Sequence, residues 1–333
     1  MNTRGLRALV LGLTVGLSAV SSAEVGAQSC SQPCVGPPRG AIIAAGGGRL
    51  DPAIYSRFVE LAGGAEARIV LIPTAGAEYG SHDGWTAIEE LRKAGAVHLE
   101  VLHTRSEKVA DLSAFASPLN EATGVWFSGG RQWRLVDVYL ETTTHQHLER
   151  LLNRGGIIGG NSAGASALAS FLLRGGEFNA EIIATEREKG FGFLRNVAVD
   201  QHLLARGREN EMFEVLRREP QLLGIGLNEG SAIIVTGDLA RIIGGRVAIY
   251  DITDPESLIA LRWLDPGEVY DLGARRTVLT DTGHPPAPVP DSTRRRPPPR
   301  GGLPQSDRAH RAGVLLDSGA LKLCQQMSTQ ACG

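Results

Sequence analysis

Apolar residues in the first half of the chain fall in short blocks, and helix-length amphipathic stretches separate the blocks. GAIIAAGGG (40–48) predicts a strand that runs into a glycine loop, and PAIYSRFVELAGG (52–64) a helix with a glycine stop. ARIVLIPTAG (67–76), HLEVLH (98–103), GVWFSGG (124–130) and GGIIGG (155–160) read as four more strands. WTAIEELRKAGA (85–96) fills one gap with a helix, and LVDVYL (135–140) and HLERLLNRGG (147–156) supply more. Apolar strands alternating with helices imply an α/β fold, a doubly wound and mostly parallel sheet covered on both faces. Ligands in such sheets sit beyond the carboxyl ends of the strands. The glycine- and serine-rich segments of this chain fall at those ends.

The second half alternates less regularly. GFGFLRNVAVDQH (190–202) predicts a turn and then a strand ending at His202, and GRENEMFEVLRREP (207–220) a helix stopped by Pro220. LLGIGL, SAIIVTG, ARIIGG and RVAIYD, between residues 222 and 251, are short β segments at close spacing. They predict hairpins that extend the sheet. Residues 28–283 are thus assigned to one α/β domain.

The ends read differently. Arg4 and Arg7 precede an apolar run, ALVLGLTVGLSAV (8–20), and small residues lead to Ala23 and Ala27. The run is short for a membrane span, so residues 1–27 are expected to be a cleaved signal peptide, leaving no membrane segment. Between residues 284 and 304 there are eight prolines, with Arg294, Arg295, Arg296 and Arg300 among them. Residues 284–305 therefore read as a linker, and 306–333 as a C-terminal tail. All four cysteines, Cys30, Cys34, Cys324 and Cys332, lie in these tails. Export to an oxidising compartment, periplasmic or secreted, would pair them in one of three connectivities. A metal site lacks nearby histidines and the C-x-x-C spacing. A net charge of -2 gives no basic field for nucleic acid.

One stretch carries chemistry. Gly160-Asn161-Ser162-Ala163-Gly164 has the pattern G-x-S-x-G, preceded by an apolar strand and followed by small residues. A serine at a sharp strand-to-helix corner needs neighbours without bulk. The N–H groups that open the helix then lie beside its hydroxyl and can hold an oxyanion. The G-x-G-x-x-G pattern of dinucleotide loops is not present at this fifth strand. Such a serine needs a base. Of eight histidines, His202 stands at a strand end, where a base is best presented; His82, in a loop, is a lesser candidate.

IPTAG (72–76), FSGGRQWRL (127–135), GGNSAGAS (159–166), GFGFL (190–194), VDQHLLARGR (199–208) and GIGLNEGSAIIVTGD (224–238) occur in this order. The set resembles the cyanophycinase family, within the wider serine peptidases that include aspartyl dipeptidase (peptidase E), over about residues 40 to 275. The resemblance implies a glutamine-amidotransferase-like fold, a Ser-His-acid mechanism and no cofactor or metal. It implies Ser162 as nucleophile, His202 as base, and an oxyanion hole from Gly129, Gly130 and Ala163. It also implies a substrate pocket containing Gln132, Asp200, Gln201, Arg206 and Arg208. For the orienting acid it favours Glu177, with Glu181 and Glu229 as competitors.

In one place the chain departs from the family. Where members commonly carry a third arginine, three residues after R-G-R, this chain has Glu211. An acid there is expected to reverse the local field, disfavouring a carboxylate and favouring a cation. The resulting expectation is an exported serine-type peptidase that hydrolyses cyanophycin or β-aspartyl-arginine isopeptides. A broader isoaspartyl or aspartyl peptidase is the alternative, and a non-catalytic carbohydrate- or peptide-binding relative is a third reading. Members of the family often pair, so a homodimer fits the resemblance.

Overall fold

In the computed structural model the described residues are 30, 33–76, 82–177, 181–252 and 260–278. The signal segment 1–27, the linker 284–305 and the tail 306–333 with Cys324 and Cys332 lie outside them. Cys30 and Cys34 are joined as a disulfide.

The first strands are β1 (Ala41–Ala45), β2 (Arg68–Ile72), β3 (His98–Val101), β4 (Gly124–Phe127) and β5 (Ile157–Asn161). They pair in parallel in the order β1-β5-β4-β2-β3. β1, β4 and all but the last residue of β5 are buried, as unbroken apolar runs with helices on both faces require. Two apolar cores cover the faces. One gathers Ile42, Val125, Phe127 and Ile158, and the other Ile43, Leu71, Trp126 and Ile157. This is the α/β sheet that the hydrophobic pattern predicts.

The later strands divide between two sheets. They are β6 (Ala169–Phe171), β7 (Leu194–Gln201), β8 (Leu223–Leu227), β9 (Ala232–Thr236), β10 (Leu239–Ile243), β11 (Val247–Asp251), β12 (Ala260–Leu264), β13 (Val269–Asp271) and β14 (Arg276–Val278). β9 adds antiparallel to the free side of β1, and β10, β13 and β14 follow, giving nine strands. β6, β7 and β8 pair in parallel with one another, and β11 and β12 add antiparallel, giving a second sheet of five. The hairpin expectation holds for β9 and β10, which extend the first sheet as an antiparallel pair, and is corrected for β8 and β11, which belong to the second. Gly224 and Gly226 show why β8 sits there. A Cβ on them would lie 2.6 Å from Met212 and 2.7 Å from Leu203, side chains packed on the second sheet. Among the described residues no helix is long and apolar enough to cross a membrane.

Candidate active site

The seam between the two sheets gathers the residues of interest. β5 ends at Asn161, and Ser162 follows with φ 53° and ψ -116°, after which a helix runs from Ala163 to Ala167. A non-glycine residue at positive φ is strained, and such strain concentrates at functional sites. The small neighbours are required by contact. A Cβ on Gly160 would lie 2.7 Å from Gly164 C, and one on Gly164 2.4 Å from Phe127 O. Asn161 Oδ1 accepts from Trp126 Nε1 at 3.0 Å, which fixes the approach to the corner.

His202 follows β7 of the other sheet, also at positive φ, 53°. Its Nδ1 lies 2.6 Å from Glu229 Oε1, and its Nε2 2.8 Å from Ser162 Oγ. A carboxylate only accepts, so Nδ1 carries the proton and Nε2 is left to accept from the serine hydroxyl. Burial is the chief influence on the imidazole and lowers its pKa below the ordinary 6.5, with the charges of Arg206 and Arg208 adding to this. The hydrogen bond from Nδ1 to Glu229 acts the other way. The net result is a ring that is neutral at neutral pH.

Glu229 is held in a built turn between β8 and β9, where the chain passes from the second sheet to the first. Asn228 Nδ2 donates to Arg246 O at 2.9 Å, its Oδ1 accepts from Leu204 N at 3.3 Å, and Ser231 Oγ donates to Asn228 O at 2.8 Å. Gly230 takes φ 75°. The expected partner, Glu177, is elsewhere: its exposed carboxylate lies 3.8 Å from Arg187. Glu181 is also exposed and makes no bond to His202. The acid at the histidine is therefore Glu229, and the expectation of Glu177 is corrected. A short separation from the serine along the chain did not bring the acid to the base; a sheet-to-sheet crossing did.

The glycine loop after β1 joins the three segments. Ala45 O accepts from Ser162 N at 2.9 Å, Gly46 O from His202 N at 3.1 Å, and Gly47 O from Gly230 N at 3.2 Å. Three successive carbonyls thus hold the backbones that carry serine, histidine and glutamate. Gly47, at φ 92°, covers the pair: a Cβ there would lie 2.7 Å from His202 Nε2 and 2.9 Å from Ser162 Cβ. Gly48, at φ 63°, packs on the carboxyl of Glu229 in the same way, at 2.6 Å. The sequence showed these glycines only as the end of a strand; their role needed the three partners in space.

The remaining expected residues cluster around this seam. Phe127 pairs with Gly160, so the loop holding Gly129 and Gly130 leaves the sheet beside the Ser162 corner. Gly129 is buried, and Gly130 is exposed at φ 141° with a Cβ position only 2.2 Å from Ala75 O. Ala163 is buried at the first position of the helix. Gln132 is buried, and its Nε2 donates to Leu173 O at 2.9 Å and Arg174 O at 3.0 Å. Its Oε1 and that of Gln201 are buried with no hydrogen-bond partner among the described residues. Asp200 is buried against two arginines. Arg174 Nη2 lies 3.1 Å from its Oδ2, and Arg208 Nη1 3.4 Å from its Oδ1. Arg174 also donates to Glu211. Glu211 therefore does not stand as an uncompensated acid, and the expected reversal of the local field is corrected. Arg206 is exposed in the turn Leu204–Arg206, directly after the histidine.

A strained serine backed by histidine and glutamate at the carboxyl end of a parallel sheet defines a class, that of the serine hydrolases. The profile of peptidase family S51 matches residues 42–243, and the chain belongs to that family. It is 29% identical over 203 residues to a cyanophycinase of Geminocystis herdmanii, covering 60% of this chain and 74% of that protein. A cyanophycinase of Synechococcus elongatus is 29% identical over 239 residues, covering 66% of this chain and 74% of that protein. In fold the chain is similar to the crystal structure of a peptidase from an acI-B1 Actinobacterium. That match has a TM-score of 0.56 and 22% identity, over 70% of this chain and 97% of the other.

Proposed function

We propose that the chain is an exported serine peptidase that cleaves the isopeptide bond of β-aspartyl substrates, cyanophycin among them. The observation that carries the reading is the series Ser162 Oγ, His202 Nε2 and Nδ1, Glu229 Oε1, with links of 2.8 and 2.6 Å. The cyanophycinase relatives support the substrate class, and the apolar segment 8–20 behind Arg4 and Arg7 supports export.

In this mechanism Ser162 Oγ attacks the carbonyl carbon while its proton passes to His202 Nε2. The carbonyl π electrons move to oxygen, and N–H groups of Gly129 or Gly130 and of Ala163 hold the oxyanion. As the oxyanion collapses the C–N bond breaks, and the amine leaves with the proton from His202. Water then loses a proton to His202 and attacks the acyl-serine, which releases the acid and returns the proton to Oγ. Glu229 keeps Nδ1 protonated and stabilises the imidazolium. The unpartnered amide oxygens of Gln132 and Gln201 are suited to N–H groups of a substrate.

The test is the clearing of a cyanophycin suspension by the purified protein. Clearing that disappears in Ser162→Ala supports the reading. No clearing, with hydrolysis of isoaspartyl dipeptides, favours the broader isoaspartyl peptidase; no hydrolysis of either overturns both. The pairing of Arg174 with Glu211 is the observation that favours breadth.

A further inference from the structure

Arg174 belongs to none of the motifs that mark the site, yet it reaches their centre. Its side chain is 3% exposed and that of Asp200 1%, so the pair is sealed from solvent. The contact is two-pronged, Nε to Oδ1 at 3.3 Å and Nη2 to Oδ2 at 3.1 Å, the geometry in which a guanidinium best fits a carboxylate. The same Nη2 reaches Glu211, whose side chain is 40% exposed on the rim. The main chain of Arg174 is also held, since its carbonyl accepts from Gln132, which opens the helix after the Gly129–Gly130 loop. Its φ is 55°. Arg208 completes the group by donating to Asp200 and to Gln201 O. Two cations and two anions thus close on each other around Asp200, two residues before His202.

A substrate cation entering this pocket finds both acids already paired with the chain's own guanidinium. A substrate carboxylate finds Arg206. That side chain makes no ion pair among the described residues, and its backbone N donates to His202 O at 3.0 Å. The turn that carries it directly follows His202, so its charge stands on the histidine side of the site.

Resting on the peptidase reading above, we propose that Arg174 is an internal counter-ion occupying the acid side of the pocket. The enzyme consequently selects β-aspartyl substrates by their carboxylate, through Arg206, and not by a cationic side chain. Arg174 is a specificity-determining residue and takes no part in the bond-breaking steps.

The experiment compares kcat/KM for the dipeptides β-aspartyl-arginine and β-aspartyl-leucine. In the wild-type enzyme the two values are expected to agree within about threefold, because no acid is free to reward the arginine. Arg174→Gly suits the positive φ and uncovers Asp200 and Glu211, so the arginine-to-leucine ratio rises by about tenfold. Arg174→Lys keeps the charge and keeps the wild-type ratio. A merely structural Arg174 would lower both values together and leave the ratio alone. Arg206→Gln, an exposed change that leaves the core intact, raises KM for both dipeptides by about tenfold. A wild-type preference for arginine above about tenfold, or a ratio that Arg174→Gly leaves unchanged, overturns the proposal while the peptidase stands. Hydrolysis of neither dipeptide, with no clearing of cyanophycin, overturns the peptidase reading and this inference with it.

Discussion

The seam at Ser162 and the charge cluster at Asp200 meet at the end of β7, where Asp200 stands two residues before His202, and they are built on opposite principles. The seam is made of backbone and glycine. Three carbonyls at the end of β1 and just beyond it hold its three segments, and Gly47 and Gly48 leave no room beyond the side chains they cover. Its only charged member is Glu229, at the solvent-facing end. The cluster is made of charged side chains, with Arg174, Asp200 and Arg208 buried and Glu211 at the rim balancing the second cation. The contrast suggests a division of work. Fixed geometry at the seam lowers the barrier, whereas the cluster decides which charge the pocket accepts. Changes at the seam should therefore fall on kcat, and changes around the cluster on KM and selectivity.

Ser162→Ala should give the largest effect, a loss of kcat of about 10³-fold or more, read in a steady-state assay with a β-aspartyl dipeptide. Gly47→Ala adds a single methyl within 3 Å of His202 and Ser162 at φ 92°. It should cost about 10²-fold in kcat with little change in KM. An equal rise in KM would place the glycine in the pocket and blur the division.

Arg206→Gln sharpens the comparison through pH. His202 acts only when neutral, and burial first, then the charge of Arg206, lowers its pKa. The acid limb of kcat/KM should lie below the ordinary 6.5 of histidine. Removing the Arg206 charge raises the pKa, so the limb moves to higher pH and activity on that limb falls. Glu177→Gln should give the smallest effect, within about twofold in kcat and KM, since exposed ion pairs contribute little.

Much of the seam was legible in the sequence because it obeys local rules. A glycine-flanked serine after an apolar strand announces a strained corner, and contacts at Gly160 and Gly164 show the crowding that the pattern implied. The five parallel strands were legible from their apolar runs. The second sheet was not, because β8 and β11 are as short and apolar as β9 and β10, and only partners in space separate them. Glu229 was named only as a competitor to Glu177, and Arg174 was missed, for the same reason. Glu229 reaches His202 by a crossing between sheets, and Arg174 meets Asp200 across 26 residues of chain. Nothing in the residues beside Arg174 signals that pairing, although an acid at position 211 needed a cation somewhere.

The most direct test of the account is kcat for Glu229→Gln, with Glu177→Gln measured beside it. The amide keeps the shape of the acid but can present N–H to Nδ1, which removes the carboxylate that holds the tautomer. The account predicts a fall of about 10²- to 10⁴-fold for Glu229→Gln, with Glu177→Gln near wild type. A Glu229→Gln enzyme within about twofold of wild type, or a larger loss in Glu177→Gln, would contradict it.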